Sequence, residues 1–595
     1  MIKPLGVRFL MDKELLLEKA EKYVEAEENS FFRNQVESLI DQQDFTELND
    51  RFFTELEFGT GGLRGVIGGG FNRMNPLVVR KATQGLASYI KKTVDSDDLS
   101  AVIAYDSRNF SDLFALEAAL VFCANGIRTY LFTSLRPTPE LSFAVRMLKA
   151  TAGIVVTASH NPPEYNGYKV YWSDGAQVIS PHDKGIIREV RAVADSVNYM
   201  SKEAALENGM LVMIDKEIDE PFISMVKNCA LRPKLIKEKG KDLKVVYTPL
   251  NGTGAIPVKT ALSEMGIEVK MVEEQSEPDG NFPTLEYPNP EEASAMRLAL
   301  ELGKKIEADL VMGTDPDADR LGIAAPDGDE FKLVTGNQLG ALLADYVFST
   351  RKELGIMPKK PALIKTIVTS ELQRRIANEY GAECFDTLTG FKFIGDKIRQ
   401  FEKIPDGPAY VIGGEESYGY LVNTEVRDKD AVSAALMTAE MVLYYRSVDK
   451  TLFEHLREIW LKHGYFQEIL ISKYFKGESG VHKIQSLMEK LRKDPPELFA
   501  GQNVLYIKDY LGSTTFYVQE KDTRKDIELP SSNVIQFILA DCSIITARPS
   551  GTEPKIKFYA SCCSEPGEPL EKAMHLVQKK TELINKELND LIDKV

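Results

Sequence analysis

Apolar residues in this chain fall into short continuous runs separated by stretches of helical period, and the alternation occurs three times. Ala101-Val102-Ile103-Ala104-Tyr105 predicts a strand, Asp112 to Asn125 a helix stopped by Gly126, and Thr129-Tyr130-Leu131-Phe132 a second strand. A helix around Glu140–Lys149 follows, and then the strand Gly153-Ile154-Val155-Val156. The rhythm returns with a strand at Lys244–Tyr247, a helix over Pro257–Met265 ended by Gly266, and strands at Glu268–Val272 and Asp309–Met312. It returns again from Ala362–Lys365 through a helix over Glu371–Tyr380 to the apolar pair Val411-Ile412. Three such units predict an α/β protein of three similar domains. Beyond them the strand-like runs Ser543–Thr546 and Lys555–Tyr559 and a helix over Glu568–Asp593 predict a smaller C-terminal α+β domain. A helical, acidic stretch from Asp12 to Glu28 extends the N-terminus. Polar or turn-rich segments near 200–215, just after Pro326-Asp327-Gly328, and near 455–470 set the expected domains at 1–210, 211–328, 329–460 and 461–595.

Each α/β unit delivers one polar loop from a strand end, which is where open α/β sheets bind ligands. The first is Thr157-Ala158-Ser159-His160-Asn161-Pro162, where the Ser159 hydroxyl stands at the exit of a buried strand. Ser, Asn and Pro also favour turns in their own right, so this segment alone does not define a site. The second loop, Gly313-Thr314-Asp315-Pro316-Asp317-Ala318-Asp319-Arg320, sets three carboxylates at alternate positions. They repel one another unless a cation sits among them, and a set of hard oxygen ligands suits Mg²⁺ or Ca²⁺ rather than zinc. An EF-hand would need Gly at the sixth loop position and Glu at the twelfth, where this chain has Arg320 and Pro326. A haloacid-type phosphatase would have Thr where Asp319 stands.

The third loop, Val411-Ile412-Gly413-Gly414-Glu415-Glu416-Ser417-Tyr418-Gly419, runs from a strand into paired acids and a serine. The fourth, Arg548-Pro549-Ser550-Gly551-Thr552-Glu553-Pro554, combines a guanidinium, two hydroxyls and a glycine that lets backbone amides approach an anion. Those are the parts of a phosphate cradle, although Pro-Ser-Gly-Thr also makes ordinary turns.

Composition narrows the partners. The 595 residues carry a net charge of −16, which opposes nonspecific binding to nucleic acid and to anionic membrane. A phosphorylated ligand must then be drawn by local cations such as Arg64, Lys169, Arg320, Lys392 and Arg548. The six cysteines are scattered without a Cys-x-x-Cys pair, as expected in a reducing compartment. No apolar run approaches a membrane span and the N-terminus is unlike a signal peptide, so a cytoplasmic protein is expected.

Taken in this order, the four loops and the segment Phe58-Gly59-Thr60-Gly61-Gly62-Leu63-Arg64-Gly65 resemble the α-D-phosphohexomutase family of phosphoglucomutases and phosphomannomutases. The resemblance implies three α/β domains with mixed sheets and a C-terminal domain around a central cleft. The helical N-terminal extension and the inserted Pro163-Glu164-Tyr165 set this chain apart from the shorter bacterial members. It also implies phosphoryl transfer through a phosphoserine at Ser159, between glucose 1-phosphate and glucose 6-phosphate, with a glucose 1,6-bisphosphate intermediate that also primes the enzyme. By resemblance, Ser159, His160, Lys392, Arg64 and Arg320 form the catalytic set, and His160 and Lys392 are the candidates for proton transfer. Asp315, Asp317, Asp319 and Ser159 would hold Mg²⁺. Lys169, Thr389, Gly390, Glu415, Ser417, Arg548, Ser550, Gly551 and Thr552 would bind substrate, with Glu415 and Ser417 on the sugar hydroxyls. Tyr418-Gly419 stands where dual-specificity bacterial enzymes have Gly-His, so glucose phosphates are expected to be preferred over mannose phosphates. A monomer or weak homo-oligomer is expected. Three alternatives stay open: a glucose 1,6-bisphosphate synthase, a phosphopentomutase, and a phosphosugar-binding protein without turnover.

Overall fold

In a computed structural model, residues 11–59, 61–193, 197–475, 478–550 and 555–594 are described. The chain divides into two compact units. The first holds the residues up to Ala230, Ile236–Ile323 and the excursion Asn423–Leu436, and the second holds Leu231–Leu235, Ala324–Val422 and the chain from Met437 onward.

The first unit opens with three helices, Lys13–Ala26, Ser30–Asp41 and Phe45–Phe52. Asp12 caps the first of them by accepting from the amides of Glu14 and Leu15. Leu16, Ala20, Tyr23, Val36, Leu48 and Phe52 bury the faces these helices turn to one another. A six-stranded sheet follows, made of β1 (Gly62–Val66), β2 (Ser100–Tyr105), β3 (Arg128–Phe132), β4 (Ala152–Val156), β5 (Tyr165–Trp172) and β6 (Leu211–Ile214) in the order β1-β5-β4-β2-β3-β6. Strands β4, β2, β3 and β6 are parallel, and β5 runs antiparallel to β4 and β1, so the sheet is mixed. Every residue of β4 is buried, as its unbroken apolar run requires of a strand covered on both faces. Strand β6 extends the first sheet past the boundary expected at 210. It belongs there because Leu211 registers against Thr129 and buries with Ile214 beside β3.

A second parallel set in the same unit comprises β7 (Val245–Thr248), β8 (Val269–Met271) and β9 (Leu310–Thr314), with β7 between the other two. Strand β10 (Leu321–Asp327) carries the chain out of this unit, turns at Gly328 and returns as β11 (Glu330–Val334). The boundary expected after Gly328 therefore falls in a hairpin turn, which the Pro-Asp-Gly signature marks but does not distinguish from a linker.

In the second unit β12 (Pro361–Thr366), β13 (Glu383–Thr387), β14 (Ala409–Gly414) and β15 (Tyr420–Leu421) pair in the order β13-β12-β14-β15. β12 is parallel to both neighbours, and β15 is antiparallel to β14. The helix Leu452–His463 runs through the boundary expected at 460, because Leu456, Ile459, Trp460 and His463 form one buried face. Gly464 ends it with φ 92°, and β16 (Phe466–Tyr474) opens the C-terminal domain. There an antiparallel sheet adds β17 (Leu498–Phe499), β18 (Gln502–Asp509), β19 (Thr514–Tyr517), β20 (Asp522–Arg524), β21 (Ile535–Leu539), β22 (Ile544–Pro549) and β23 (Lys555–Cys563). The helices Glu478–Lys493 and Leu570–Asp593 close its core. The fold is three α/β/α domains with mixed sheets followed by a C-terminal sheet domain. Among the described residues no helix is long and apolar enough to cross a membrane.

Candidate active site

In the first unit the buried strand β4 delivers Ser159 two residues after its last hydroxyl-bearing neighbour, Thr157. The Thr157 hydroxyl donates to Asp106 Oδ2 at 2.6 Å and accepts from the Ser159 amide at 2.7 Å. Gly167 of β5 passes so close that a Cβ there would lie 2.5 Å from the Thr157 carbonyl oxygen. Ser159 itself takes φ 52°, in the left-handed region that side-chain-bearing residues seldom occupy. Its hydroxyl, nearly buried, is directed at Asp315 Oδ2 at 2.6 Å and lies 3.2 Å from Nδ1 of His160.

The acidic loop follows β9 and is fully buried at Asp315, Asp317 and Asp319. Ala318 with φ 49° lets the chain double back, so that Asp315 Oδ1 accepts from the amides of Asp319 at 3.1 Å and Arg320 at 3.0 Å. Thr253 donates to the Pro316 carbonyl from both its amide and its hydroxyl at 2.8 Å. A Cβ on neighbouring Gly252 would stand 2.4 Å from Pro316 Cα, so that contact requires glycine. On the other side Thr138, at the start of the helix Thr138–Met147, donates its hydroxyl to Asp317 Oδ2 at 2.8 Å and its amide to the Asp317 carbonyl at 2.9 Å.

The three aspartates place one carboxylate oxygen each within 4.8 Å of the others. Asp317 Oδ1 and Asp319 Oδ1 are buried without a hydrogen-bond partner among the described residues. Clustered oxygens left unpaired by the protein are what a hard divalent cation completes, so the residues fit Mg²⁺. Two ammonium groups supply positive charge from the protein itself. Lys169 Nζ lies 2.7 Å from Asp317 Oδ2 and 3.3 Å from Asp319 Oδ2, and Lys429 Nζ lies 2.8 Å from Asp319 Oδ2. Asp428, beside Lys429, accepts from the Tyr171 hydroxyl at 2.7 Å.

The electrostatics divide the three acids. Burial, with Asp319 and Asp317 close by, pushes the Asp315 carboxyl well above the ordinary range. Burial opposes ionisation of Asp317 and Asp319 as well, yet both stay below the ordinary range, because Lys169 and Lys429 outweigh it for Asp317 and are joined by Arg320 for Asp319. Burial, followed by Arg320, Arg64 and Lys429, holds the His160 imidazole well below its usual value. Arg320 pairs with Glu291, and Arg64 donates to Asn161 Oδ1 at 3.2 Å.

The first unit thus holds Arg64, Ser159, His160, Lys169, Asp315, Asp317, Asp319 and Arg320. It adds Asp106, Arg108, Thr138, Glu291, Asp428 and Lys429. The signal for Lys429 was the run Arg427-Asp428-Lys429-Asp430 immediately before an apolar helix, which reads on its own as a solvated charge run. Asp428 and Lys429 are instead buried or nearly so.

In the second unit Glu415 accepts from the Gly390 amide at 2.8 Å, which joins the Thr389-Gly390 turn to the loop after β14. Gly390 has φ 112° and begins the helix Phe391–Glu402, whose second residue, Lys392, holds its ammonium 5.4 Å from the Phe393 ring centre. Ser417 is half-buried in the same loop, which the Glu415 amide closes by donating to the Gly419 carbonyl at 2.8 Å. Arg548 stands opposite Lys557 across β22 and β23, and the Ser550 amide donates to the Lys555 carbonyl at 2.7 Å. Gly551 and Thr552, the other half of the expected phosphate cradle, lie outside the described residues. Below the loops a charged network ties Lys365 to Glu371 at 2.6 Å and Asp386 at 2.9 Å, and Arg374 to the same two acids at 2.6 Å. Burial works against the Glu371 carboxylate, but Lys365 and Arg374 hold it down to about 2.

A turn bearing the Ser159 hydroxyl is thus held against a buried acid triad on a scaffold of three α/β/α domains. Residues 55–196, 220–328 and 335–463 match the family descriptions phosphoglucomutase/phosphomannomutase, alpha/beta/alpha domains I, II and III, in that order. The chain is 38% identical over 559 residues to the phosphoglucomutase of Staphylococcus aureus strain USA300, covering 93% of this chain and 96% of that one. Its fold is shared by parafusin (phosphoglucomutase) from Paramecium in its open form, with TM-score 0.67, 18% identity and coverage of 89% of this chain and 95% of that one. A phosphoglucomutase/phosphomannomutase family protein of Burkholderia thailandensis also shares it, with TM-score 0.64, 17% identity and coverage of 90% and 98%. The chain belongs to the α-D-phosphohexomutase family. It is a phosphohexomutase, an enzyme that moves a phosphoryl group within its substrate.

Proposed function

We propose that this phosphohexomutase interconverts α-D-glucose 1-phosphate and glucose 6-phosphate through a phosphoserine at Ser159, with weaker action on mannose phosphates. The observation that carries the reading is the Ser159 hydroxyl, held in a strained turn 2.6 Å from the acid triad. In the forward direction the phosphoryl group leaves Ser159 Oγ for the 6-hydroxyl of glucose 1-phosphate. The P–O bond to serine breaks, the P–O bond to the sugar forms, and the hydroxyl proton passes to a base. Glucose 1,6-bisphosphate then turns over and returns its 1-phosphoryl group to Ser159, which releases glucose 6-phosphate. His160, with Nδ1 3.2 Å from Ser159 Oγ, is one base candidate, and Lys392 is the other by family resemblance. Asp315, Asp317 and Asp319, with the serine phosphate, would hold Mg²⁺, whose chemistry is to neutralise charge on the phosphoryl oxygens.

Arg64 and Arg320 bring guanidinium groups for phosphate near the serine turn, and Lys169 keeps its ammonium on the acid triad. Arg548 and Ser550, with Gly551 and Thr552, would hold the phosphate that is not reacting, and Glu415 and Ser417 the 3- and 4-hydroxyls of the sugar. Glucose and mannose share those hydroxyls and differ at carbon 2, so discrimination between them falls on contacts to that carbon. The close relation to a phosphoglucomutase supports glucose as the preferred sugar.

The test is one coupled assay of glucose 1-phosphate, mannose 1-phosphate and ribose 1-phosphate, with and without glucose 1,6-bisphosphate. Glucose 1-phosphate should give the highest kcat/KM, and the bisphosphate should shorten the lag. A higher kcat/KM for ribose 1-phosphate would replace the reading with a phosphopentomutase.

A further inference from the structure

Arg108 takes no part in the loops described so far, yet its side chain is completely buried behind the serine turn. Its fork is filled by main-chain carbonyls of that turn. Nη1 donates to Pro162 O at 2.8 Å and to Tyr165 O at 2.9 Å. Nη2 donates to Ser159 O at 2.6 Å and to Asn161 O. Nε lies 3.4 Å from Asp106 Oδ2, the oxygen that also receives the Thr157 hydroxyl. One guanidinium therefore fixes four carbonyls between Ser159 and Tyr165. Among them is the carbonyl of Ser159 itself, whose left-handed φ has no support from glycine. A lysine has one donor centre and could not span those acceptors.

The residue is itself held from both sides. Ser111 Oγ and the Arg108 amide both donate to Asp106 Oδ1, at 2.8 and 3.0 Å, and the Phe282 ring covers the guanidinium at 5.1 Å. Two residues on, Phe110 takes φ 65° and packs against Phe31 and Phe32 of the N-terminal helices, with ring centres 4.8 and 5.1 Å apart. We propose that Arg108 is a positioning residue for phosphoryl transfer at Ser159, and that the N-terminal helices keep it in place through Phe31 and Phe32. The inference rests on the serine reading above, but its physical half, the ordering of the turn, does not depend on turnover.

The experiment compares wild type, Arg108→Lys and Phe32→Leu as full chains by glucose 1-phosphate kinetics, thermal melting and amide exchange without substrate. For Arg108→Lys, kcat should fall by about ten- to a hundredfold with KM within about twofold, since a small misplacement of a reacting group costs rate rather than binding. Exchange over residues 157–166 should quicken by about tenfold while that of the helix Ser111–Ala124 is unchanged. Phe32→Leu should shift the same two readouts in the same direction by less, and it stands in for Arg108→Lys if that variant does not fold. A variant that melts earlier but keeps wild-type kcat and wild-type exchange over 157–166 overturns the proposal and leaves Arg108 a core residue. If wild type itself shows no phosphoryl transfer while Arg108→Lys loosens the turn, the functional reading fails and the positioning of the turn stands.

Discussion

The hydroxyl of Ser159 and the carboxylate of Asp315 meet at 2.6 Å although 156 residues separate them in the chain. Two strands, β4 and β9, end at this point, and each releases one functional loop from its C-terminal edge. The pairing ties the serine turn to the acid triad.

Removal of the proposed nucleophile is the most direct test. Ser159→Ala should lose at least about three orders of magnitude in kcat, the scale of deleting a covalent nucleophile, while still binding glucose 1-phosphate. Phosphopeptide mass spectrometry on wild type should place a labile phosphate on Ser159. Finding it reproducibly on another residue would remove Ser159 from the reaction.

Metal dependence should appear in stability as well as in rate. Lys429→Met leaves Asp319 buried with one ammonium neighbour fewer, and loss of one partner from a buried pair costs about 3 kcal/mol or more. Thermal melts of chelator-treated protein should show that loss, and added Mg²⁺ should shrink it by restoring positive charge. Equal losses with and without Mg²⁺ would mean that the triad does not take the ion. In the same assays, each of Asp315→Ala, Asp317→Ala and Asp319→Ala should lower kcat by about 10²-fold or more.

Distal binding should separate from chemistry. Arg548→Ala should raise KM for glucose 1-phosphate and glucose 6-phosphate alike, because either can present its unreactive phosphate to the same loop. Unchanged KM for both substrates takes this loop out of the site.

The Glu371 network should give the second unit a signature in acid. The folded carboxyl sits at about 2 against an ordinary value of 4.5, so protons bind the unfolded chain first. Its stabilising contribution is complete above about pH 4.5 and is lost as pH falls through about 2. Glu371→Gln should lower stability at pH 7 and flatten the pH dependence between those limits. A denaturation curve with the same acid slope in both proteins would show that Glu371 is not held by Lys365 and Arg374.

Strands such as β4, β9 and β12 were legible because their apolar runs are continuous and polar loops follow at once. The Ser159 and Asp315–Asp319 loops were legible for the same reason, as local composition announces them. Lys429 and Arg108 were not. Their roles come from partners far along the chain, Asp319 for the first and the Ser159–Tyr165 carbonyls for the second, and a cation in a polar or charged segment carries no local mark of burial. The boundaries at 210, 328 and 460 lie in or near the gaps between the matched segments 55–196, 220–328 and 335–463, but the sequence signals place them only coarsely. Turn-forming residues signal a change of direction, and strand β6, the β10–β11 hairpin and the helix Leu452–His463 show such changes within domains as well as between them.

The path of the chain carries a last consequence. Residues Asn423–Leu436 belong to the first unit although the sequence on either side of them belongs to the second. That excursion brings Lys429 to Asp319 and Asp428 to Tyr171. No single cut can therefore yield the first unit whole. A fragment ending at Ile323 would carry the serine turn and the acid loop but lack Lys429, one of the cations paired with the acids, whereas one continued through Leu436 would drag along residues 324–422 of its neighbour. The enzyme is modular in its repeating architecture and indivisible in its covalent wiring, so gene fragments that follow the domain repeat should not reconstitute the acid loop unless residues 423–436 are supplied in trans.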